Sequence, residues 1–317
     1  MFRMLSFVVA LLLCQAPALG QECSGPLKLV VGLAAGGGMD VVARLLANSV
    51  TTRFSHTIVV ENKTGASGNI AAEYVARAPR DGCTIIIRAN EHNVNPLIYT
   101  RAGYEPGDFA PIVLLVRGPS VLVANPNQPF KTLSAMMEYA RSNPGKLSYG
   151  SSGIGGGNHL FAETFLKAAR LDILHVPYKG AALAMQDTIS GNVPLSMGSV
   201  ASALPYIESG KVIPLAVTGP KRWPTLPNVP SVAETGFANA TTMAWMGLFA
   251  PAGTSKAAID KLNQEFRAAL EEAAIKEKLL TLGYEVAGGS PQEFDTFLQD
   301  DLRAMRKVVQ ELNIKVE

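Results

Sequence analysis

Short β-branched runs alternate with longer stretches of helical periodicity along almost the whole chain. The first half predicts strands at Leu27–Val31, Thr57–Glu61, Thr84–Ile87, Ile112–Val116 and Val121–Ala124. Helices are predicted at Asp40–Thr52, Gly68–Ala78 and Leu133–Arg141, with Asp40 and Ser134 as candidate caps. The second half repeats the alternation: a helix at Asn158–Ala169, a strand at Ile173–Val176, a helix at Ala182–Ser190, then strands at Val193–Met197, Val212–Thr218 and Trp245–Ala250. Gly219–Pro230, rich in proline and polar residues, reads as a surface loop. Helical spacing returns at Ser255–Ala274. Ser290-Pro291-Gln292-Glu293 forms a capping box with proline at the first helical position and launches a helix to about Leu312. Alternation of this kind predicts an α/β fold with mainly parallel sheets.

Two glycine-rich turns interrupt this pattern in the same way. Gly32-Leu33-Ala34-Ala35-Gly36-Gly37-Gly38 and Ser151-Ser152-Gly153-Ile154-Gly155-Gly156-Gly157 each follow a strand and open a helix. Such a turn offers bare N–H groups and the positive end of a helix dipole, which hold an anion without a charged side chain. Two of them, more than a hundred residues apart, predict two lobes that close on one acidic ligand.

The ends and the composition narrow the class. Arg3, an apolar run Leu5–Leu13 and the small residues of Ala16-Pro17-Ala18-Leu19-Gly20 predict a signal peptide over residues 1–20, cleaved after about Gly20, and a soluble exported protein. The apolar run is too short to span a bilayer. Leu13 before Cys14 does not suit lipid attachment. The remaining chain suffices for two lobes. A net charge of +2 gives no footprint for nucleic acid. Cys23 and Cys83 remain after cleavage, with no spacing for a structural zinc and no metal expected. If their strands are parallel neighbours, export favours a disulfide between them; two free thiols are the alternative.

Several stretches, in order, resemble the exported solute receptors of tripartite tricarboxylate transporters, the Bug family. They include Gly36-Gly37-Gly38-Met39-Asp40, Glu61-Asn62-Lys63-Thr64-Gly65-Ala66-Ser67-Gly68, Ala76-Arg77-Ala78-Pro79-Arg80-Asp81-Gly82 and Asn95-Pro96-Leu97-Ile98-Tyr99. The second half adds His175-Val176-Pro177-Tyr178-Lys179-Gly180 and Trp245-Met246-Gly247-Leu248-Phe249-Ala250-Pro251. The resemblance implies a two-lobed periplasmic-binding-protein fold of the Venus-flytrap, type II-like kind. Residues 25–122 plus 243–317 would form lobe one and 123–242 lobe two. It also implies a small carboxylate in the cleft, transporter subunits in the membrane as partner, no cofactor and no catalysis, with the receptor expected as a monomer. The family pattern is broken at Gly32 and Leu33, where proline and phenylalanine are usual, and after Ile87, where Arg88-Ala89-Asn90 replaces a hydroxyl-rich loop.

Ligands of open α/β sheets bind beyond the carboxyl ends of the strands. The expected donors in lobe one are Gly36, Gly37 and Gly38, with Asn62, Gly65 and Ala66 beside them and Asp40 capping its helix. Lobe two would offer Ser151, Ser152, Gly155 and Asn158, with Tyr178 and Gly180 shaping the wall. Ser151 and Ser152 read equally as helix caps, and His159 as a packed residue. Asn90 and Arg88 stand at the end of a central strand, where the Arg88 fork would clamp a second carboxylate; its alternative is a salt bridge to Glu91. An exported α/β enzyme or a sensor receptor are the competing functions. The chain carries no Gly-x-Ser-x-Gly elbow and no Walker lysine to support the enzyme.

Overall fold

The computed structural model describes Cys23 and residues 25–54, 57–178 and 180–316. The expected leader, Cys14 and Lys179 lie outside the described residues. The first sheet-forming block runs β1 (Leu27–Val31), α1 (Gly38–Phe54), β2 (Ile58–Asn62), a 3₁₀ turn (Ala66–Gly68), α2 (Asn69–Ala76), β3 (Thr84–Ala89), α3 (Glu91–Ile98) and β4 (Phe109–Gly118). The second runs β5 (Ser120–Ala124), α4 (Leu133–Ser142), β6 (Ser148–Ser151), α5 (Gly157–Ala169), β7 (Leu174–Pro177), α6 (Ala181–Ser190), β8 (Leu195–Ser199), α7 (Val200–Glu208) and β9 (Ile213–Val217). The chain then adds β10 (Ala244–Pro251), α8 (Lys256–Leu270), α9 (Ala273–Thr281), β11 (Glu285–Gly288) and α10 (Pro291–Leu312).

Two sheets result, ordered β11-β4-β10-β3-β1-β2 and β7-β6-β8-β5-β9. Both are mixed, which corrects the expectation of mainly parallel sheets. β1 pairs in parallel with β2 and β3, and β6 with β7 and β8, as βαβ units require. The pairs of β10 with β3 and β4, of β11 with β4, and of β5 with β8 and β9 are antiparallel. β4, β5, β9 and β10 are the strands next to the crossings between sheets, and β11 adds a further antiparallel edge to the first. β4 runs into β5 through Pro119 alone, so the chain enters the second sheet in the direction in which it leaves the first. Ser120–Leu122, grouped above with the first lobe, pair in the second sheet.

Both faces of each sheet are apolar, because helices cover both. In the first, Leu27, Leu29, Val31, Ile85 and Ile87 point to a core with α1 and α8, while Val30, Ile86, Trp245 and Phe249 point to another closed by Phe294 of α10. In the second, Leu122 and Ala124 face one core, Val121 and Val123 the other. The Gly219–Pro230 segment is irregular as expected, yet Trp223, Leu226 and Val229 bury into this last core. Thr132, not Ser134, caps α4, its side chain accepting from the Ala135 N–H. Ser290 and Glu293 form the expected capping box of α10. α3, α7, α9 and β11 are additions to the predicted elements. Cys23 and Cys83 form a disulfide with Cα atoms 4.9 Å apart at the amino end of the parallel strands.

Candidate functional site

Six loops lie at the carboxyl ends of parallel strands: those after β1, β2 and β3 in one sheet and after β6, β7 and β8 in the other. Each leads directly into a helix, so six helix N-termini gather there. The capping pattern separates these helices from the rest. α2, α3, α5 and α6 begin at Gly68, Asn90, Gly156 and Gly180 with no side-chain cap, whereas α4, α8 and α10, away from these loops, are capped by Thr132, Ser255 and Ser290. Two helices break the pattern: α7, where Ser199 accepts from the Ser202 N–H, and α9, away from these loops, which starts at Glu272 without a side-chain cap. Helix N-termini without a side-chain cap are therefore more frequent at this edge of each sheet than elsewhere.

The two edges approach each other. A Cβ on Gly155 would stand 2.0 Å from Ile98 Cδ1 of α3, and one on Gly157 3.8 Å from Asn90 Oδ1. On the other side, a Cβ on Gly283 would meet the Ala201 nitrogen of α7 at 2.8 Å. The next residue, Tyr284, holds its hydroxyl 3.3 Å from where a Cβ on Gly38 would stand and also faces the Ser199 side chain, and burial pushes its pKa up to about 12. Tyr284 thus joins the first glycine loop to the second sheet, a role that no sequence motif announces.

The first loop is built around Asp40, which is 2% exposed. Its carboxylate accepts from the Gly36 N–H at 2.9 Å, from Arg44 Nε at 3.0 Å and from Asn62 Nδ2 at 2.9 Å. Burial alone raises this carboxyl, but the hydrogen bonds from Arg44, the Gly36 amide and Asn62 outweigh it and hold its pKa below the ordinary value. Gly36 and Gly37, expected as anion donors, spend their N–H groups inside the turn, Gly37 on the Ala34 carbonyl at 3.3 Å. Gly38 keeps the expected position at the first turn of α1. Asn62 also donates to the Leu33 carbonyl at 3.0 Å, so it fastens the loop.

The second loop of this sheet is wound left-handed. Gly65, Ala66, Ser67 and Gly68 have φ of 131°, 44°, 53° and 85°. Two non-glycine residues in that region are strained unless their surroundings hold them. Here Asn95 donates to the Ser67 carbonyl at 3.1 Å and the Ser67 and Tyr99 hydroxyls share a hydrogen bond of 2.9 Å. Gly32 of the first loop lets this turn come close, since a Cβ on it would fall 2.9 Å from the Gly68 Cα.

Arg88 lies buried beneath these loops with its guanidinium turned onto protein groups. Its side chain is 1% exposed; it donates to the Gly68 carbonyl at 2.8 Å and the Tyr104 hydroxyl at 2.6 Å, with Glu91 3.6 Å from Nε. It buttresses the left-handed turn from beneath. Asn90 accepts from the Trp245 N–H at 3.2 Å.

In the second sheet the serines do not cap α5, which starts from Gly156. Ser151, fully buried, hydrogen-bonds His175 Nε2 at 2.7 Å, and the His175 ring stacks on His159 at 4.0 Å. His159 Nδ1 accepts the Gly155 N–H at 3.1 Å, which requires a neutral ring. Burial lowers both imidazoles to about 4, with His175 adding to the shift of His159. Asn158 accepts from Ser120 at 2.8 Å, and Tyr178 donates to Asp187 at 2.7 Å. Ser152 stands half-buried at the loop. Lys63 sits among these loops and pairs with Glu61 at 2.8 Å. A separate groove of about 670 Å³, lined by Pro26, Lys28, Tyr74 and Cys83 among others, lies by the strand starts, at the opposite end of the sheet. Among the described residues no cluster of histidine, cysteine and carboxylate side chains forms a metal site.

Residues 42–314 match the model of the tripartite tricarboxylate transporter family receptor. The chain belongs to this family. The receptor is 34% identical to the UPF0065 protein in the tcbD-tcbE intergenic region of Pseudomonas sp. strain P51, over 92% of this chain and 87% of that protein. Among solved structures it is similar to R. palustris Rpa4515 with adipate, with 35% identity, a TM-score of 0.86, and coverage of 92% of this chain and 99% of that one. It is also similar to the periplasmic binding protein BugD, with 34% identity, a TM-score of 0.83, and coverage of 93% and 99%. The two-lobed α/β binding-protein fold is therefore that of the receptor, and its relatives are periplasmic solute-binding proteins.

Proposed function

We propose that the receptor captures a small dicarboxylate between its lobes and delivers it to the membrane subunits of a tripartite tricarboxylate-type transporter. The observation that carries this reading is the set of uncapped helix N-termini at α2, α3, α5 and α6, gathered where the two sheets face each other. They offer neutral donors to an anion, and neutral donors release it again more readily than a buried, fully paired cation. Carboxylate chemistry is supported by adipate in the similar R. palustris protein. In this reading lobe two begins at Ser120 and ends before Ala244, the leader is removed after about Gly20, and the mature receptor acts as a periplasmic monomer without a cofactor. Gly38, Gly65, Ala66, Ser152, Gly155 and Asn158 line the cleft, and Arg88, Asn62 and Asn90 hold its loops in place.

The Ser151–His175 contact of 2.7 Å is the one feature that favours the enzyme alternative. The serine is fully buried and the imidazole is packed between Tyr149 and His159, an arrangement that braces a loop rather than presenting a nucleophile.

Thermal melting of the mature protein against small carboxylates, with phosphate and sugars as controls, tests the proposal. Ligand at a hundred times its Kd adds about 2.7 kcal/mol of stability. A shift with dicarboxylates alone supports the reading; a shift with sugars or phosphate alone overturns it.

A further inference from the structure

We propose a second binding site, at the end of the first sheet opposite the cleft, for a monocarboxylate with an apolar body. It uses none of the cleft residues and stands apart from the dicarboxylate reading.

The site is the groove of about 670 Å³ at the strand starts, a volume suited to a small organic molecule. Strand register sets its floor. Val30 and Ile86 lie side by side on β1 and β3 and pack under Ala71, Ala72 and Val75 of α2. Side chains two residues earlier project from the same face. Those residues are Lys28 and Thr84, also side by side, and both line the groove. Lys28 breaks an otherwise apolar strand, in which Leu27, Leu29, Val30 and Val31 are fully buried. Among the described residues no carboxylate pairs with its ammonium. Thr84 is 7% exposed, and among the described residues its hydroxyl has no hydrogen-bond partner. A cation and a nearly buried hydroxyl without protein partners, on neighbouring strands, form a head-group site for one carboxylate. The Cys23–Cys83 disulfide ties the chain entering β1 to the start of β3 and holds this floor in place.

The walls define the rest of the ligand. Ile70 and Tyr74, one helical turn apart on α2, are 53% and 39% exposed, and Pro26 and Pro79 extend the apolar lining. Val59, opposite Lys28 on β2, leaves a further apolar side chain 49% exposed. The other charges of the groove disfavour a second anionic group. Arg77 is held by Glu73 at 2.6 Å, and Asp81 accepts from the Cys83 N–H at 2.8 Å. Both carboxylates repel a second negative charge, so one free cation selects one carboxylate.

Amide-resolved NMR titration of the mature protein with phenylacetate tests this, with acetate, 2-phenylethanol and succinate as controls. Phenylacetate is expected to shift the amides of residues 27–28, 70–78 and 83–84 saturably. Removing the ring, as in acetate, or the charge, as in 2-phenylethanol, should each weaken binding there about tenfold or more. Succinate should leave these amides in place at concentrations where phenylacetate saturates them. Lys28→Met, at an exposed position, is expected to weaken phenylacetate about tenfold with the melting temperature unchanged. Thr84→Val, which keeps the shape of the side chain, should weaken it about fivefold and reads the same head-group site if Lys28→Met does not fold. Three results would overturn the proposal: undiminished binding by the variant that folds, acetate or succinate moving the groove amides as phenylacetate does, or phenylacetate moving only the cleft-loop amides or none.

Discussion

Arg88 carries a charge at 1% exposure, and three groups account for it: the Gly68 carbonyl, the Tyr104 hydroxyl and the Glu91 carboxylate. Its guanidinium also lies over the Tyr104 ring, 4.9 Å from the centroid. Burying a guanidinium is favourable only with such partners, and removing it leaves theirs exposed to the same penalty. Arg88→Met is therefore expected to destabilise the fold by about 2 to 4 kcal/mol in chemical unfolding. If the residue acts through the turn at Gly65–Gly68, whose Gly68 carbonyl it holds, any loss of affinity should be the same for mono- and dicarboxylates. Selective loss for dicarboxylates would return Arg88 to the clamp. The sequence held both readings of this residue. Its position at the end of β3 was legible, but Tyr104 is distant in sequence and belongs to no motif.

At the scale of elements, the glycine turn before α5 is held by imidazole rather than by a cap. His159 Nδ1 takes the Gly155 N–H, and His175 holds Ser151. Both rings are neutral in the fold with pKa near 4, against 6.5 when unperturbed. Buried His92 is shifted the same way, by burial and then by Arg88. The unfolded chain thus takes up protons between about pH 6.5 and pH 4 that the fold excludes. Stability is full above that window and falls as the pH drops through it. Urea unfolding at pH 7 and pH 5 should show the loss. His159→Asn, which keeps an acceptor for the Gly155 amide, should make it smaller; an undiminished slope would refute the assignment. The glycine turns and their helices were plain in the sequence from composition and spacing. α3 was not: it has eight residues, two of them asparagine, with Pro96 inside, and only packing against α10 makes it a helix.

The whole molecule is joined by more than its chain crossings. Val94 and Ile98 of α3 and Met305 and Val309 of α10, from one lobe, share a cluster with Leu160 and Phe161 of α5 from the other. Lys167 and Glu311 pair across the same junction at 3.2 Å. α5 therefore rests on a fixed apolar seat while its glycine turn faces the opposite loops, a geometry suited to lobe closure about that seat. The disulfide acts at this scale too. It spans 60 residues of lobe one, and closing a loop of that length costs the unfolded chain about 4 kcal/mol in the chain-entropy account. Reduction is expected to lower unfolding stability by about that amount, read by denaturant unfolding with and without reductant. An unchanged midpoint would show that the bond contributes nothing.

The sequence by itself determined the α/β class, nearly all the elements that flank the glycine turns, and the family, because alternating apolar runs and glycine positions are local properties that survive without contacts. Tertiary structure alone decided the rest. Sheet direction depended on how β4, β5, β9 and β10 cross between lobes, and pairing across a hundred residues leaves no periodic trace. The roles of Gly36, Gly37 and Arg88 turned on which partners lay within hydrogen-bonding distance, and those partners — Ala34 and Asp40 nearby, Gly68 and Tyr104 farther along — could be assigned only once the chain was folded around them.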